Sequence, residues 1–119
     1  MTKLLIVDDE KTMSDLSKPF FERRGYSVFY AGSGNKGLEI FKQEKPDVVL
    51  LDLGLPDIEG KDVLVQMKQL NKDSKVIVLT GFSEEDIKTK IMPLGADAYF
   101  TKPCRLPLVD EKIKEMLKC

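Results

Sequence analysis

Histidine is absent from this 119-residue sequence, and cysteine occurs only twice. Without an imidazole there is no histidine general base and no His-containing zinc site. Cys104 and Cys119 are too few for a cysteine-only metal site or for a secreted disulfide scaffold, so the expectation is two inert thiols in a reducing cytoplasm. Long apolar runs are also missing. The longest are about four residues, against the ~20 needed to span a bilayer. Met1-Thr2-Lys3 leads directly into one of them, with nothing resembling a signal peptide. There is no excess of charge: 19 Lys and Arg face 20 Asp and Glu, for a formal net charge of -1. No basic surplus exists to neutralise phosphates along a duplex, so direct nucleic-acid binding is not expected. G-x-x-x-x-G-K-[ST] does not occur, which removes the P-loop fingerprint.

What is present reads as one globular domain. Apolar residues make up 42% and charged residues 33% of a chain long enough to bury about two-thirds of its unfolded surface. Five short apolar runs recur: Leu4-Leu5-Ile6-Val7, Val28-Phe29-Tyr30-Ala31, Val48-Val49-Leu50-Leu51, Val76-Ile77-Val78-Leu79 and Ala98-Tyr99-Phe100. Their continuity, as opposed to alternation, suits strands buried on both faces of a parallel sheet. Between them the apolar period changes to that of a helix. The predicted stripes are Met13, Leu16 and Phe20; Leu38 and Phe41; Leu64, Met67 and Leu70; Ile87, Ile91 and Leu94; and Val109, Ile113 and Leu117. Ser83 with Asp86 resembles a capping box, and Gly25 after Arg23-Arg24 suits a helix C-terminus. Pro107 suits a first helical turn, with Asp110 and Glu111 near the positive end of that dipole. Pro19 predicts a bend near Asp15–Pro19, and Pro93 predicts that regular pairing in the fourth helix stops around Met92. The order is (βα)5: a single α/β domain with right-handed crossovers and helices on both faces of the sheet.

The chemistry lies at the strand ends. Asp8 and Asp9 come directly after the first apolar run, Asp52 after the third, Thr80 after the fourth, and Lys102 after the fifth, beyond Thr101. In a parallel sheet all carboxyl ends share one edge, the edge at which ligands bind in open α/β sheets. Singly, each residue has a plain structural explanation, as a cap, a solvated acid or a Lys-Pro turn. At successive strand ends in one register they form a constellation. Three carboxylates brought together repel one another and raise at least one pKa. A hard divalent cation removes the repulsion, and an oxygen-only donor set favours Mg²⁺. Lys102 adds a positive group for a phosphoryl oxygen, Thr80 a hydroxyl donor, and a carboxylate can itself attack phosphorus. The constellation reads as Mg²⁺-assisted phosphoryl transfer onto a carboxylate.

From Lys3 to about Leu117 the sequence resembles a response-regulator receiver domain of two-component signalling, similar to the chemotaxis regulators. The matching motifs are Val7-Asp8-Asp9-Glu10, Asp52-Leu53-Gly54-Leu55-Pro56-Asp57-Ile58-Glu59-Gly60, Leu79-Thr80-Gly81, Gly95-Ala96-Asp97-Ala98-Tyr99 and Lys102-Pro103. The resemblance implies a flavodoxin-like fold with strand order 2-1-3-4-5 and one receiver domain over residues 1–119. It implies that Asp52 is the phosphoacceptor, charged from the phosphohistidine of a sensor histidine kinase or phosphotransfer protein. Mg²⁺ is then bound by Asp9, Asp52 and the backbone carbonyl of Gly54, with Asp8 acting through a water. Lys102 and Thr80 contact the phosphoryl oxygens, Lys102-Pro103 is a cis peptide, and Thr80 with Tyr99 forms the switch. Cys104 stands where the family commonly has a bulky apolar residue. Gly54 and Phe82 occupy positions that tune access of water to the acyl phosphate, the first opening the site and the second closing it.

Output is expected on the face built from the fourth helix (about Glu84–Ile91), the fifth strand and the fifth helix (about Leu108–Lys118). Lys88, Lys90, Lys112 and Glu115 should be exposed around it, and a target protein or a second receiver should dock there. A stand-alone cytoplasmic receiver is favoured, and the alternative is the receiver part of a longer DNA-binding regulator. An aspartyl-nucleophile phosphohydrolase fits less well, because Asp52 has no acid two positions later and the chain has no cap domain. A receiver-like module that works without phosphorylation is the third reading, and the presence of every chemical residue weighs against it.

Overall fold

The computed structural model describes residues 1–117, apart from the side chains at 12–14. The expectations for Met13, Lys118 and Cys119 lie outside the described residues. Five strands form one parallel sheet: β1 (Lys3–Val7), β2 (Ser27–Ala31), β3 (Val48–Asp52), β4 (Lys75–Thr80) and β5 (Ala98–Thr101). Their order across the sheet is β2-β1-β3-β4-β5. The helices between them are α1 (Lys11–Arg23), α2 (Gly34–Glu44), α3 (Gly60–Leu70) and, after β5, α5 (Leu106–Leu117). The segment between β4 and β5 is one turn of α-helix (Glu84–Asp86), a π-helical stretch (Ile87–Ile91) and a 3-10 turn (Met92–Leu94). Together they form one element, α4, over 84–94.

The three central strands, β1, β3 and β4, bury both faces, as their unbroken apolar runs require, while the edge strands β2 and β5 are only partly buried. Alternate residues point to opposite sides, so the sheet separates two cores. Leu5, Val7, Val49, Leu51, Val76 and Val78 pack with Leu38 and Phe41 of α2, Val63, Leu64 and Met67 of α3, and Ile87 and Ile91 of α4. Leu4, Ile6, Val48, Leu50, Ile77 and Leu79 pack with Phe21 of α1 and Val109 and Ile113 of α5. Burying each such large side chain contributes on the order of 1.5–3 kcal/mol.

The punctuation falls where the residues direct it. Gly25, at φ +94°, comes after the last turn of α1, where a residue with a Cβ would be strained. The Ser83 hydroxyl accepts the Asp86 amide at 3.2 Å and starts α4. In α4 the α-helical pairing gives way to π-helical pairing after Asp86, earlier than Pro93 alone predicted, and the π stretch ends at Ile91, ahead of that proline. α1 runs through Pro19.

Two predicted stripes need correcting. Leu16 is 64% exposed; the buried face of α1 is one residue further on, at Ser17 and Phe21. Leu70 is 51% exposed, because α3 ends there and only Leu64 and Met67 reach the core. Around α4 and α5, Lys88, Lys90 and Glu115 are exposed, but Lys112 is half-buried and sits 3.7 Å from Glu115.

Candidate functional site

The sheet register assembles the site. Val7 pairs with Leu51, so the next residue of each strand brings Asp8 alongside Asp52. The Asp8 amide extends the ladder to the Ala31 carbonyl at 3.0 Å, and the Tyr30 hydroxyl donates to the Asp8 carbonyl at 2.7 Å. Asp8 is therefore fixed from β2, by a tyrosine that sequence reasoning did not single out. On the other side, Thr80 ends β4, and the Lys102 amide donates to its carbonyl at 2.7 Å. The Lys102–Pro103 bond is cis.

The side chains converge. Carboxylate oxygens of Asp8, Asp9 and Asp52 all lie within 4.8 Å of one another. The Lys102 ammonium donates to Asp8 Oδ2 at 3.1 Å and stands 3.4 Å from Asp52 Oδ2 and 4.0 Å from Glu10 Oε1. The other Asp8 oxygen accepts the Glu10 amide at 2.9 Å, and Asp52 Oδ1 accepts the Gly54 amide at 3.2 Å. Asp9 is exposed and has no hydrogen-bond or ion-pair partner among the described residues. Thr80 is buried, with its Oγ1 accepting the Phe82 amide at 3.2 Å.

One positive charge thus serves several carboxylates, and the balance appears in the titration of Asp52 and Lys102. Burial pushes the Asp52 carboxyl above its ordinary value, and the Asp8 charge adds to this against the opposing pull of the Gly54 amide and Lys102. At Lys102 burial works against the charge, but the hydrogen bond to Asp8 and the charges of Asp52 and Asp8 outweigh it and hold the ammonium above its ordinary value. The cluster offers only hard oxygen donors, one of them unpartnered, with more negative charge than the protein itself neutralises. Those are the features that suit a small divalent cation such as Mg²⁺.

Several neighbours border the cluster without joining it. Tyr99 is half-buried, and its hydroxyl donates to Glu84 Oε1 of α4 at 2.6 Å. Cys104 packs against the α1–α5 core, and burial pushes its thiol up. Phe82 is 48% exposed and lines a cleft of about 490 Å³ between α3 and α4, with Leu53, Gly60, Ile91 and Leu94. Asp57, five residues beyond Asp52, reaches away from the cluster to α2, which nothing in its sequence context signals.

Residues 4–114 match the family described as the response regulator receiver domain. The chain belongs to that family. This receiver is 35% identical over 115 residues to sporulation initiation phosphotransferase F of Bacillus subtilis, covering 97% of this chain and 93% of that protein. It is 37% identical over 116 residues to the alkaline phosphatase synthesis transcriptional regulatory protein PhoP of the same organism, covering 98% of this chain but 48% of the relative. The chain thus spans nearly all of one relative and about half of the other. Among solved structures, the response regulator TrrA of Thermotoga maritima, in complex with Mg²⁺-BeF, superposes with a TM-score of 0.88 at 32% identity, covering 98% of this chain and 100% of that one. The protein is a receiver domain of two-component response regulators, a family that interacts with histidine kinases and downstream effectors. Among the described residues no helix is long and apolar enough to cross a membrane.

Proposed function

We propose that residues 1–119 form one receiver domain that takes a phosphoryl group onto Asp52 from the phosphohistidine of a sensor histidine kinase or phosphotransfer protein. The observation that carries this reading is the convergence of Asp8, Asp9 and Asp52 within 4.8 Å beside Lys102. An Asp52 carboxylate oxygen attacks phosphorus and a P–O bond forms. The P–N bond breaks, its electron pair leaves with the imidazole, and that nitrogen takes up a proton. Mg²⁺, when bound, would supply positive charge that offsets the negative charge of the carboxylates and of the incoming phosphoryl group. Asp9, Asp52 and the Gly54 carbonyl would hold it directly. By resemblance to the family, Asp8 would act through a coordinated water while keeping its contacts with Lys102 and the Glu10 amide. Lys102 exchanges its contact with Asp52 for one with a phosphoryl oxygen. The chemistry is confined to the protein's own aspartate, first loaded and later hydrolysed by water. A cytoplasmic setting follows from this reading.

Output depends on Thr80. A phosphoryl group carries roughly -2 charge and strong acceptor oxygens, and it draws the Thr80 hydroxyl towards Asp52. The space left behind β4 admits the Tyr99 ring. To enter it, the ring gives up the bond to Glu84 that ties β5 to α4. The face of α4, β5 and α5 then repacks and docks a target protein or a second receiver.

Incubation with Mg²⁺ and acetyl phosphate, read by intact mass, tests the acceptor; no added phosphoryl mass on the wild-type protein would refute it. Amide NMR shifts with beryllofluoride and Mg²⁺ test the switch. Changes should spread from Asp52 to Tyr99 and α4 in wild type and stay local in Thr80→Ala. A full distant response in that variant removes Thr80 from the mechanism.

A further inference from the structure

The loop 53–59 leaves Asp52, carries Gly54, and turns the chain into α3. It is pinned at two places away from the acid cluster. At its base the Gly60 amide donates to the Leu53 carbonyl at 3.2 Å, with the two backbones so close that a Cβ at Gly60 would lie 2.4 Å from Leu53 Cα. At its far end Asp57 reaches the N-terminus of α2. Its Oδ1 accepts the Gly34 amide and its Oδ2 the Asn35 amide, both at 2.8 Å. The adjacent Ile58 lies over Gly34 so closely that a Cβ there would sit 2.4 Å from Ile58 Cγ1.

The first turn of α2 has amides to satisfy, and they divide between two sources. Ser33 Oγ, from the helix's own N-cap, accepts the Lys36 amide at 3.2 Å. The amides of Gly34 and Asn35 are taken by Asp57, across 23 and 22 residues of sequence. The two acceptors cap the same turn but differ in reach. Ser33 fixes only the helix, whereas Asp57 fixes the helix to the loop that borders Asp52.

We propose that Asp57 is a positioning residue for the chemistry at Asp52. Its carboxylate, held by both oxygens, orients loop 53–59 so that the Gly54 amide stays on Asp52 Oδ1 and Gly54, whose carbonyl is read as a metal ligand, is held beside the acid cluster. Asp57 touches no reacting group. The metal part of this inference rests on the reading of the acid cluster as a Mg²⁺ site; the loop geometry does not.

The test compares Asp57→Ala with Ser33→Ala. Both remove capping from the same turn of α2, so both lower thermal stability, but only the first frees the loop. Three readouts separate them. In metal-free protein, hydrogen exchange at the Gly54 amide should speed up in Asp57→Ala and stay near wild type in Ser33→Ala. Mg²⁺ affinity, followed by amide NMR shifts, should fall about tenfold in Asp57→Ala, as for loss of a group that supports metal ligands, and less than twofold in Ser33→Ala. Labelling by acetyl phosphate at fixed Mg²⁺ should slow in parallel and recover at saturating Mg²⁺. Asp57→Asn, which keeps one acceptor oxygen, should fall between, and it serves alone if Asp57→Ala does not fold. Equal Gly54 exchange and equal Mg²⁺ affinity in the Asp57 and Ser33 variants would overturn the proposal. A wild-type protein that binds Mg²⁺ through this loop but takes no phosphoryl group would refute the phosphoacceptor reading and leave the role of Asp57 standing.

Discussion

The molecule buries aspartates in two places and treats them in opposite ways. Asp110 of α5 is 1% exposed and faces the C-terminal end of α1. It accepts the Tyr26 hydroxyl at 2.7 Å and Arg24 at 3.0 Å, with Lys114 at 3.3 Å. Burial opposes its charge, but the bonds from Tyr26, Lys114 and Arg24 outweigh it, and the carboxyl titrates below its ordinary value. Asp52 is 7% exposed, shares one lysine with Asp8, and titrates above its ordinary value. Burial acts in the same direction on both, so the number of donors decides the sign. Where the carboxylate only joins helices it is fully satisfied. At Asp52, where we propose that a cation and a phosphoryl group arrive, it is left short of positive charge.

The sharpest break in this comparison is chemical. Asp52→Asn should abolish the acetyl phosphate mass shift completely, while Asp110→Asn should keep it; a labelled Asp52→Asn protein would end the contrast. Within the cluster, Asp9→Ala should weaken Mg²⁺ binding by at least about tenfold, and by more than Asp8→Ala, since second-sphere losses alone reach that size. Equal affinities in an NMR titration of wild type and Asp9→Ala would remove Asp9 from the site. Next comes stability. In Asp110→Ala, Arg24 and Lys114 are exposed enough to turn to water, but the buried Tyr26 hydroxyl loses its acceptor, at a cost of about 1–3 kcal/mol. Urea unfolding should show that loss, and a small gain for metal-free Asp52→Asn. The smallest effect is on the acid limb. The Asp110 contribution is complete above the ordinary carboxylate value of about 3.9 and is lost as pH falls through its lower folded value. Asp52 runs the other way, adding stability as pH falls from neutral through its raised folded value. Asp110→Asn should therefore flatten the decline below about pH 4, and Asp52→Asn should remove a gain above it. Identical pH profiles for the two variants would show that neither carboxylate is perturbed.

The strands and the site edge were legible because both arise from short-range pattern. A run such as Val48-Val49-Leu50-Leu51 needs two apolar environments, and the residue after it must emerge at the sheet's carboxyl edge. Helix faces were less legible. In α1, Leu16 and Phe20 make as good an i, i+4 pair as Ser17 and Phe21. Only the fold, with Phe21 set edge-on to Tyr26 at 5.4 Å, selects the second face. The π-helical stretch in α4 left no mark in the period of Ile87 and Ile91. Asp110 looked like a carboxylate complementing a helix dipole, and Asp57 was only one residue of the motif that begins at Asp52. Their partners lie 84 and 86, and 22 and 23, residues away, and no local pattern encodes that.

The three tyrosines, in a chain without tryptophan, give the protein its own optical probes. Each is tethered to a different functional quarter: Tyr30 to the backbone of Asp8, Tyr99 to Glu84 of α4, and Tyr26 to Asp110. Tyrosine emission is free of the overlapping indole signal that usually hides it. Tyr30 is the most informative, since burial and then the charges of Asp8 and Asp9 hold its phenol above the ordinary value. A cation arriving between those aspartates cancels part of that field, so the ultraviolet titration of Tyr30 becomes a label-free gauge of site occupancy. Tyr26, remote from the cluster, supplies the internal reference.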